Sequence, residues 1–383
     1  MNRHVLMLAD ADSFWTRRYI ENLLLPEGDR VTLFPIWGDG GTNAEFYRRH
    51  GVQVYRDSHT LPLIRHIPRL RMWARIWLNA RALRKLGPFD VIHNHYLSQR
   101  DLALAGAVAR AFPKARWVCS FWGSDLLRAS PKAMAQMEPY LRRCHALTLH
   151  SALQRDLIRG AYGEAVARKT ALVYFGQTGF GHIDDVRTTM TKAQCKAHFG
   201  IDPRQRVVCV GYNASPAQHQ PEVLDVLAHL SPQELSTITV VLQLTYGGTD
   251  AAYLKAVQER AAALPCASVI LKHFMDGEES AKLRLAADVF ILAIQTDAFS
   301  ASLQEYLYGG ARVVKGEWLV YPQLEELEIE TASFADYPEI PALVLDALSK
   351  PLTPEEEERR AELKTRYSWD AARGAWLATY REG

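Results

Sequence analysis

The sequence predicts an α/β protein built from two doubly wound domains. Short apolar segments alternate with helical patterns along the chain, which is typical of parallel sheets wound with crossover helices. The chain has 383 residues, which exceeds the length at which one hydrophobic core usually stops growing. Its 48% apolar and 23% charged residues are the proportions of a globular protein. We therefore expect two domains of ordinary size, each with its own parallel sheet.

The first predicted domain covers residues 1–180. Its apolar runs indicate strands that are buried on both faces. The predicted strands are residues 5–8, 31–36, 90–93, 116–120, 146–150 and 171–175. A helix is expected over residues 14–25, with Asp12 or Ser13 as its N-cap.

The second predicted domain covers residues 190–366 and follows a glycine-rich, polar linker at residues 176–187. Its strands are expected at residues 207–210, 238–244, 269–271, 289–294 and 313–314. The last segment, residues 367–383, predicts a closing helix, because aromatic and small apolar side chains recur there at helical spacing. These side chains are Trp369, Ala372, Trp376 and Tyr380.

Charge, cysteines and hydropathy exclude several classes of protein. The formal net charge of +2 is too small to indicate nucleic-acid binding. The five cysteines are odd in number and far apart, which argues against a disulfide framework and a zinc site. The first residues lack a secretory signal pattern, and no run of about eighteen apolar residues occurs. We therefore expect a cytoplasmic protein that does not span a membrane. The cysteines, expected as core thiols, are Cys119, Cys144, Cys195, Cys209 and Cys266.

The most informative segment is residues 296–314, TDAFSASLQEYLYGGARVV, which follows the apolar run 288–294. It predicts a loop and a helix between two parallel strands. The helix would begin at the carboxyl edge of the sheet, where its free N–H groups and positive dipole end attract an anion. The residues at this helix start are Ser300, Ala301, Ser302 and Leu303.

Two carboxylates flank this anion site. Glu305 would lie roughly 7 Å along the helix axis, a distance comparable to that from the phosphates of a nucleotide to its ribose. Asp297, on the loop before the helix, could accept hydrogen bonds from the hydroxyls of a nucleotide-linked sugar. An amphipathic helix with a solvated Glu305 is the alternative.

The two acids resemble the signature of the retaining glycosyltransferases of family 4, in which two glutamates are separated by seven residues. Asp297 replaces the first glutamate, which in that family contacts the donor sugar, while the second contacts the ribose. The resemblance implies the GT-B fold, with two Rossmann-like domains facing each other across a cleft and a C-terminal helix that returns to the first domain. It also implies that a nucleoside-diphosphate-sugar is a substrate, and we expect no cofactor.

Other loops extend the resemblance. Residues 121–128, FWGSDLLR, resemble the His-Gly-Ser-Asp loop of family 4, with Trp122 in place of histidine. They resemble more closely the Trp-Gly-Ala-Asp loop of the bacterial 4-acetamido-4,6-dideoxygalactosyltransferases that build enterobacterial common antigen on a lipid carrier. Segments 139–143 and 173–175 add to that likeness, and residues 210–224 resemble the Gly-Asn-Ser-rich loop of the same family.

The chain departs from these families in two places. The common-antigen transferases lack an acid at the position of Glu305, and the family 4 Arg and Lys that neutralise the diphosphate are missing from residues 210–224. Backbone amides and a few polar or basic side chains would then have to bind the diphosphate. The candidates are Asn213, Ser215, His219 and Arg128.

Three further residues follow predicted strands, where open α/β sheets bind ligands. His95 could be an acceptor-side base or polar contact, or a core histidine. Asp125 could be a base or an orienting group, or the cap of the helix that follows it. Phe274 could stack on the nucleotide base or pack in the core.

We expect no metal. Helix dipoles and basic side chains can stabilise a departing diphosphate without one. The sequence shows no metal-ligand cluster, and its one Asp-Ala-Asp triplet, Asp10 to Asp12, lies at the end of the first strand. Asp12 and Ser13 could instead touch the acceptor or a phosphate.

Residues 61–87 indicate an acceptor at a membrane. Their apolar residues recur every three or four positions, as in a helix that lies in an anionic interface, and no acidic residue occurs among them. The continuous helix is expected over 68–86, because Pro68 would start or kink it. An ordinary domain helix with a buried stripe is the alternative. The stripe is Leu63, Ile67, Leu70, Trp73, Trp77, Ala80 and Leu83, and the cations are Arg65, Arg69, Arg71, Arg75, Arg81, Arg84 and Lys85.

Together these features predict a metal-independent hexosyltransferase of cell-surface polysaccharide or glycolipid assembly, peripheral on the cytosolic face of the membrane. Its acceptor would be a polyprenyl-diphosphate-linked saccharide, and retention of anomeric configuration is favoured. The alternatives are a GT-B-shaped scaffold without catalysis and a sugar-nucleotide epimerase or hydrolase.

Overall fold

The computed structural model describes residues 2–64, 66–248, 250–275 and 277–381. The chain forms two compact units. Unit 1 comprises Met1–Gly176 and Trp369–Gly383, and unit 2 comprises Gln177–Ser368. Among the predicted basic residues, Arg65 lies outside the described residues.

In the described part of unit 1, seven parallel strands form one sheet in the order β3-β2-β1-β4-β5-β6-β7. Strand β3 was not predicted, because two residues at a sheet edge are too short to show a periodic pattern. The strands are β1 (His4–Ala9), β2 (Arg30–Pro35), β3 (Gln53–Val54), β4 (Val91–His95), β5 (Arg116–Ser120), β6 (Ala146–Leu149) and β7 (Thr170–Leu172).

The core of unit 1 lies on both faces of this sheet. In β1, Leu6 and Leu8 pack into one apolar cluster, and Val5 and Met7 pack into another. This alternation explains why the strands read as continuous apolar runs. The helices before the unit boundary are α1 (Phe14–Tyr19), α2 (Ala44–Arg49), α3 (Pro68–Leu83), α4 (Gln99–Ala109), α5 (Ser124–Leu127), α6 (Pro131–Leu141), α7 (Ala152–Tyr162) and α8 (Glu164–Ala167), and a π-helical turn, Ile20–Leu24, continues α1.

Helix α3 begins at Pro68 as expected but ends at Leu83, before the predicted residue 86, and its apolar stripe is only partly buried. Ala80 and Leu83 are buried against the core, whereas Trp73 and Trp77 are exposed. The stripe is therefore neither wholly buried nor wholly exposed, because its C-terminal part packs on the core while its N-terminal part meets solvent.

In the described part of unit 2, six parallel strands form a second sheet in the order β10-β9-β8-β11-β12-β13. The strands are β8 (Arg206–Val210), β9 (Ile238–Gln243), β10 (Ala267–Leu271), β11 (Val289–Leu292), β12 (Arg312–Gly316) and β13 (Ala332–Phe334), the last of which the sequence did not predict. The helices are α9 (Gly179–Thr189), α10 (Lys192–His198), α11 (Gln220–Leu227), α12 (Pro232–Leu235), α13 (Ala251–Ala263), α14 (Gly277–Ala286), α15 (Ala301–Gly309), α16 (Pro322–Glu326), α17 (Ile340–Ser349) and α18 (Pro354–Tyr367).

The linker predicted at residues 176–187 is wrong, because most of it belongs to helix α9. Phe180, Ile183 and Val186 are buried at three-residue spacing and pack that helix into unit 2. The glycines at the start of this segment suggested a loop. Gly179 instead lies in the first turn of the helix, where it lies against the carboxylate of Glu305.

The closing helix, α19 (Trp369–Thr379), packs within unit 1. Trp369, Trp376 and Tyr380 belong to the same apolar cluster as Met7 and Tyr19. The indole N–H of Trp376 donates to the carbonyl of Tyr174 at 2.8 Å. The last helix of the chain therefore completes the core of the first sheet.

Candidate functional site

The loop between β11 and α15 forms a candidate anion site at the carboxyl edge of the second sheet. Ser300 is the N-cap of α15, and its Oγ accepts a hydrogen bond from the backbone N–H of Leu303 at 3.3 Å. The N–H of Leu303 is thereby occupied, so the anion site is narrower than the four residues predicted. The backbone N–H groups of Ala301 and Ser302 have no acceptor among the described residues and remain available for an anion.

Glu305 lies on the second turn of α15 and is held by an arginine. Its Oε2 lies 3.2 Å from Nε of Arg284, which comes from α14. Arg284 is almost fully buried, and it also donates to the side-chain oxygen of Gln243 at 2.9 Å. Its guanidinium lies over the ring of Tyr306 at 4.1 Å. Glu305 is therefore fixed by a buried cation rather than solvated, which excludes the alternative of a merely solvated carboxylate.

Arg284 also lies close to the start of α15, since its Nη2 is 3.5 Å from the hydroxyl of Ser302. A buried positive charge from α14 therefore lies beside the start of α15. Sequence reasoning missed this residue. Its signal was an arginine inside the apolar run KLRLAADVFILA, where a solvated cation would be unusual.

Gly179, in the first turn of α9, lies against the carboxylate of Glu305. A Cβ atom at this position would overlap Oε1 of Glu305. The absence of a side chain at Gly179 therefore leaves room for the carboxylate.

Asp297 lies on the loop after β11 and is half-buried. Its Oδ2 accepts a hydrogen bond from the hydroxyl of Tyr321 at 2.9 Å. Burial, together with the neighbouring charge of Asp297, raises the pKa of Tyr321 well above its usual value, so the phenol stays a donor. This contact orients the Asp297 carboxylate.

The loop after β8 is held by its own side chains. Oδ1 of Asn213 accepts from the backbone N–H of Ser215 at 2.9 Å, and Ser215 caps the short 3-10 helix Pro216–Gln218. His219 follows in the left-handed region, with φ of 51°, and its Nδ1 lies 3.5 Å from a carboxylate oxygen of Glu222. These three candidates for diphosphate binding thus organise the loop.

Phe274, which follows β10, is 64% exposed. Core packing, the alternative for this ring, is therefore excluded. The ring is available to stack on a planar ligand.

In unit 1, Asp125 joins the loops that follow two neighbouring strands. Its carboxylate accepts backbone N–H bonds from Leu97 at 2.8 Å, from Trp122 at 2.8 Å and from Gly123 at 3.1 Å. Burial raises the pKa of Asp125 to about 6, although these donors act in the opposite direction. Arg128 and Asp125 line a cavity of about 460 Å³ at this edge of the sheet.

His95 is only 1% exposed, at the end of β4. Its Nε2 lies 3.2 Å from Nδ1 of His93, and His93 in turn contacts the hydroxyl of Tyr380 at 2.6 Å and that of Ser120 at 2.6 Å. Burial, together with the neighbouring histidines, lowers the pKa of His95 well below its usual value. The structure therefore places His95 in the core, as a neutral imidazole.

The acidic residues after β1 organise their own loop. Asp12 accepts backbone N–H bonds from Asp39 at 3.0 Å and from Thr42 at 2.8 Å. Ser13 is the N-cap of α1, and its hydroxyl accepts a hydrogen bond from the backbone N–H of Trp15 at 3.2 Å. In the structure Ser13 therefore caps the helix. Among the described residues, no group of three or more His, Cys, Asp or Glu side chains could hold a metal ion.

Part of the first unit resembles a known protein domain. Residues 16–176 match the model of the Glycosyl transferase 4-like domain. No curated protein sequence matches the chain. No helix in the described ranges combines the length and the apolar character that crossing a membrane requires.

Solved structures resemble the chain over its full length. HepE of Anabaena, solved with UDP-glucose, has a TM-score of 0.73 at 14% identity, with 99% of each chain covered. A glycosyltransferase of Rickettsia africae has a TM-score of 0.76 at 12% identity, covering 99% of this chain and 98% of that one. Sucrose-phosphate synthase of Thermosynechococcus elongatus has a TM-score of 0.73 at 13% identity, with the same coverage. The chain therefore has the GT-B fold, and its first unit carries the match to a glycosyltransferase 4-like domain.

Proposed function

We propose that the protein is a glycosyltransferase that moves a hexosyl group from a UDP-sugar to a saccharide acceptor. The observation that carries this proposal is the pair of Arg284 and Glu305 beside the start of α15. Two free backbone N–H groups and a fixed carboxylate on α15, with a buried cation beside them on α14, suit a nucleoside diphosphate. The structures of HepE with UDP-glucose and with UDP support uridine as the base.

Each group at this site has a proposed role. The N–H groups of Ala301 and Ser302 would bind the diphosphate, and Glu305 would accept hydrogen bonds from the ribose hydroxyls. Asp297 would accept from hydroxyls of the donor sugar. The helix N-terminus and Arg284 would stabilise the charge that develops on the departing diphosphate, so the proposed reaction needs no metal and no cofactor. We propose transfer with retention, by the resemblance to family 4.

The acceptor side is proposed to lie in unit 1, at the loops after β4 and β5. Asp125 holds these loops together through three backbone hydrogen bonds. Its pKa of about 6 suits a carboxyl group that orients an acceptor hydroxyl or exchanges a proton with it. Arg128 would contribute a positive charge to the same cavity.

We further propose that the acceptor saccharide is linked to a polyprenyl diphosphate, and that the protein binds the cytosolic face of the membrane through the apolar face of α3 and the turn before it. We define this apolar patch as Leu63, Ile67, Leu70, Trp73 and Trp77, which are 97%, 53%, 49%, 44% and 62% exposed. Exposed apolar side chains on one helix, when they are contiguous, mark an interaction surface.

Cations border the apolar patch. The guanidinium of Arg81 lies 5.9 Å from the ring of Trp77, and Arg69 is exposed in the first turn of the same helix. Tryptophan and arginine side by side suit the interface of an anionic bilayer, where each basic group contributes on the order of 1 kcal/mol. This arrangement supports a role in polysaccharide or glycolipid assembly at the membrane.

Calorimetric titration with UDP, GDP, dTDP, CDP and ADP, with and without EDTA, tests the donor half of this proposal. We expect micromolar binding of UDP that EDTA does not change. If none of the five nucleotides binds, the protein is a GT-B-shaped scaffold. Turnover of a bound UDP-sugar without any acceptor would instead identify an epimerase or a hydrolase.

A further inference from the structure

A second cavity lies in unit 1, apart from the one beside Asp125. It has a volume of about 900 Å³ and is bounded by the loop after β2, by α2, by the residues after β3, by one flank of α3 and by the start of α4. Such a volume is in the range of small-molecule sites. The proposed roles of the donor site and of the Asp125 loops make no use of it.

The cavity is rich in arginine. Five arginines line it against three aspartates, Asp39, Asp57 and Asp101, which leaves a formal excess of two positive charges. The lining arginines are Arg48, Arg56, Arg71, Arg75 and Arg100.

Two of the aspartates already have arginine partners. Asp57 pairs with Arg75 and also accepts from the amide of Asn79 at 3.1 Å. Asp101 pairs with Arg100 at 2.9 Å. These pairs are internal to the wall of the cavity, so they fix its shape and cancel their own charges.

Arg48 and Arg56 are different. No carboxylate among the described residues lies within ion-pair distance of either guanidinium, and both side chains are exposed. An arginine without a carboxylate partner keeps its planar set of N–H donors for a ligand, and phosphate oxygens fit that geometry.

Helix α3 borders both the cavity and the apolar patch. Arg71 and Arg75 line the cavity, whereas Trp73 and Trp77 are exposed on another face of the same helix. The two sets lie on nearly opposite sides of α3, which is about 10 Å across, so a ligand that meets both needs an anionic group and an apolar chain long enough to pass the helix. Neither a soluble phosphate nor a plain lipid chain would use both faces.

We propose that this cavity binds the diphosphate that links the acceptor saccharide to its apolar carrier, with Arg48 and Arg56 as its principal ligands. The inference rests on the proposed lipid-linked acceptor and deepens it. The chemistry it recognises is a diphosphate, and the apolar patch selects the form that is anchored in a membrane.

Vesicle binding tests this inference. Vesicles of phosphatidylcholine alone and with undecaprenyl diphosphate would be titrated with the wild-type protein, with the double variant Arg48→Gln and Arg56→Gln, and with a control. The control, Arg49→Gln and Arg110→Gln, removes the same charge from exposed positions of unit 1 that do not line the cavity. We expect the cavity variant to lose about tenfold or more of its affinity for the diphosphate vesicles, and the control to keep it.

Two results would overturn the inference. One is an unchanged affinity of the cavity variant, and the other is an equal loss in the control. Titration with inorganic pyrophosphate distinguishes the sources of the diphosphate. Pyrophosphate could bind the wild type as tightly as the vesicles do and lose that binding in the cavity variant. In that case the site binds soluble phosphate compounds, and the proposal of a lipid-linked diphosphate is wrong.

UDP calorimetry on the same proteins separates this inference from the proposed donor site. The cavity variant should bind UDP as the wild type does, because the donor site lies in the other unit. UDP binding without any diphosphate-dependent vesicle binding would refute the diphosphate site in the cavity. It would not contradict the proposed glycosyltransferase function. Diphosphate-dependent vesicle binding without UDP binding would support the diphosphate site in the cavity and refute the proposed donor site.

Discussion

The carboxylate of Glu305 is the residue on which nucleotide binding should depend most directly. Replacing Glu305 with Gln removes the negative charge but keeps the size of the side chain. Hydrogen bonds to charged groups are worth about 1.5–3 kcal/mol, so we expect UDP to bind about ten to a hundred times more weakly. Calorimetric titration measures this loss, and an unchanged dissociation constant would contradict the ribose role.

A glycine offers a second test of the same carboxylate without removing it. Gly179→Ala would place a methyl group on Oε1 of Glu305 and push the carboxylate away from its position beside Arg284. We expect weaker UDP binding in this variant, by about tenfold. The control is Gly181→Ala on the same helix, because a Cβ there meets nothing within 4 Å. Equal UDP affinities of the two variants would show that the placement of Glu305 does not matter.

Helices α3 and α19 each carry two tryptophans but bury them differently. Trp376 of α19 is fully buried, whereas Trp77 of α3 is 62% exposed. Trp376→Ala should therefore lower the free energy of unfolding of unit 1 by about 3–5 kcal/mol, since it removes a large core side chain. Trp77→Ala should change it by less than about 0.5 kcal/mol. Denaturant titrations of both variants measure the contrast, and a large loss in Trp77→Ala would mean that this ring stabilises the fold.

The exposed face of α3 should contribute to membrane binding and not to the stability of the fold. We expect the double variant Trp73→Ala and Trp77→Ala to cosediment less with anionic liposomes, because it loses the apolar contact area while it keeps every arginine of the helix. Leu153 and Leu157 of α7 are also exposed, at 54% and 42%, and their replacement with Ala provides a matched control. Equal cosedimentation of all three proteins would refute membrane binding through α3.

Buried histidines make the free energy of unfolding of unit 1 sensitive to acid. Burial lowers the pKa of His93 to about 3 and that of His150 to about 4, and burial with neighbouring histidines also lowers that of His95. These residues stay neutral when folded but take up protons near pH 6.5 when unfolded. Their contribution to stability is present above pH 6.5 and is lost as the pH falls below 6.5, down to about 4 for His150 and about 3 for His93.

Asp125 acts in the opposite sense, because its folded pKa is raised to about 6 from 3.8. It binds a proton more readily in the folded state, and so it offsets part of the loss between pH 6 and 4. We still expect the melting temperature of unit 1 to fall over this range, since the buried histidines with a lowered pKa outnumber this carboxyl group. Eight of the nine tryptophans lie in unit 1, so their fluorescence reports its unfolding. A melting temperature that is constant or rises as the pH falls from 6.5 to 4 would contradict this expectation.

Local sequence patterns were enough to place most strands and the donor helix. The apolar run before residue 296 and the glycines after Tyr308 bound the β11-α15-β12 segment, because strand burial and helix ends depend on neighbouring residues. The same locality explains the errors. The two-residue strand β3 carries too little pattern, and the glycines at residues 176–181 suggested a loop where α9 begins.

Contacts between distant segments could be seen only in the folded chain. Arg284 reaches Glu305 from another helix, and Gly179 approaches the same carboxylate from a third. The periodicity of α3 likewise could not tell which apolar face would be covered. Periodicity states which residues share one side of an element, but the packing of the crossover helices against each sheet decides which side meets a neighbour and which meets solvent.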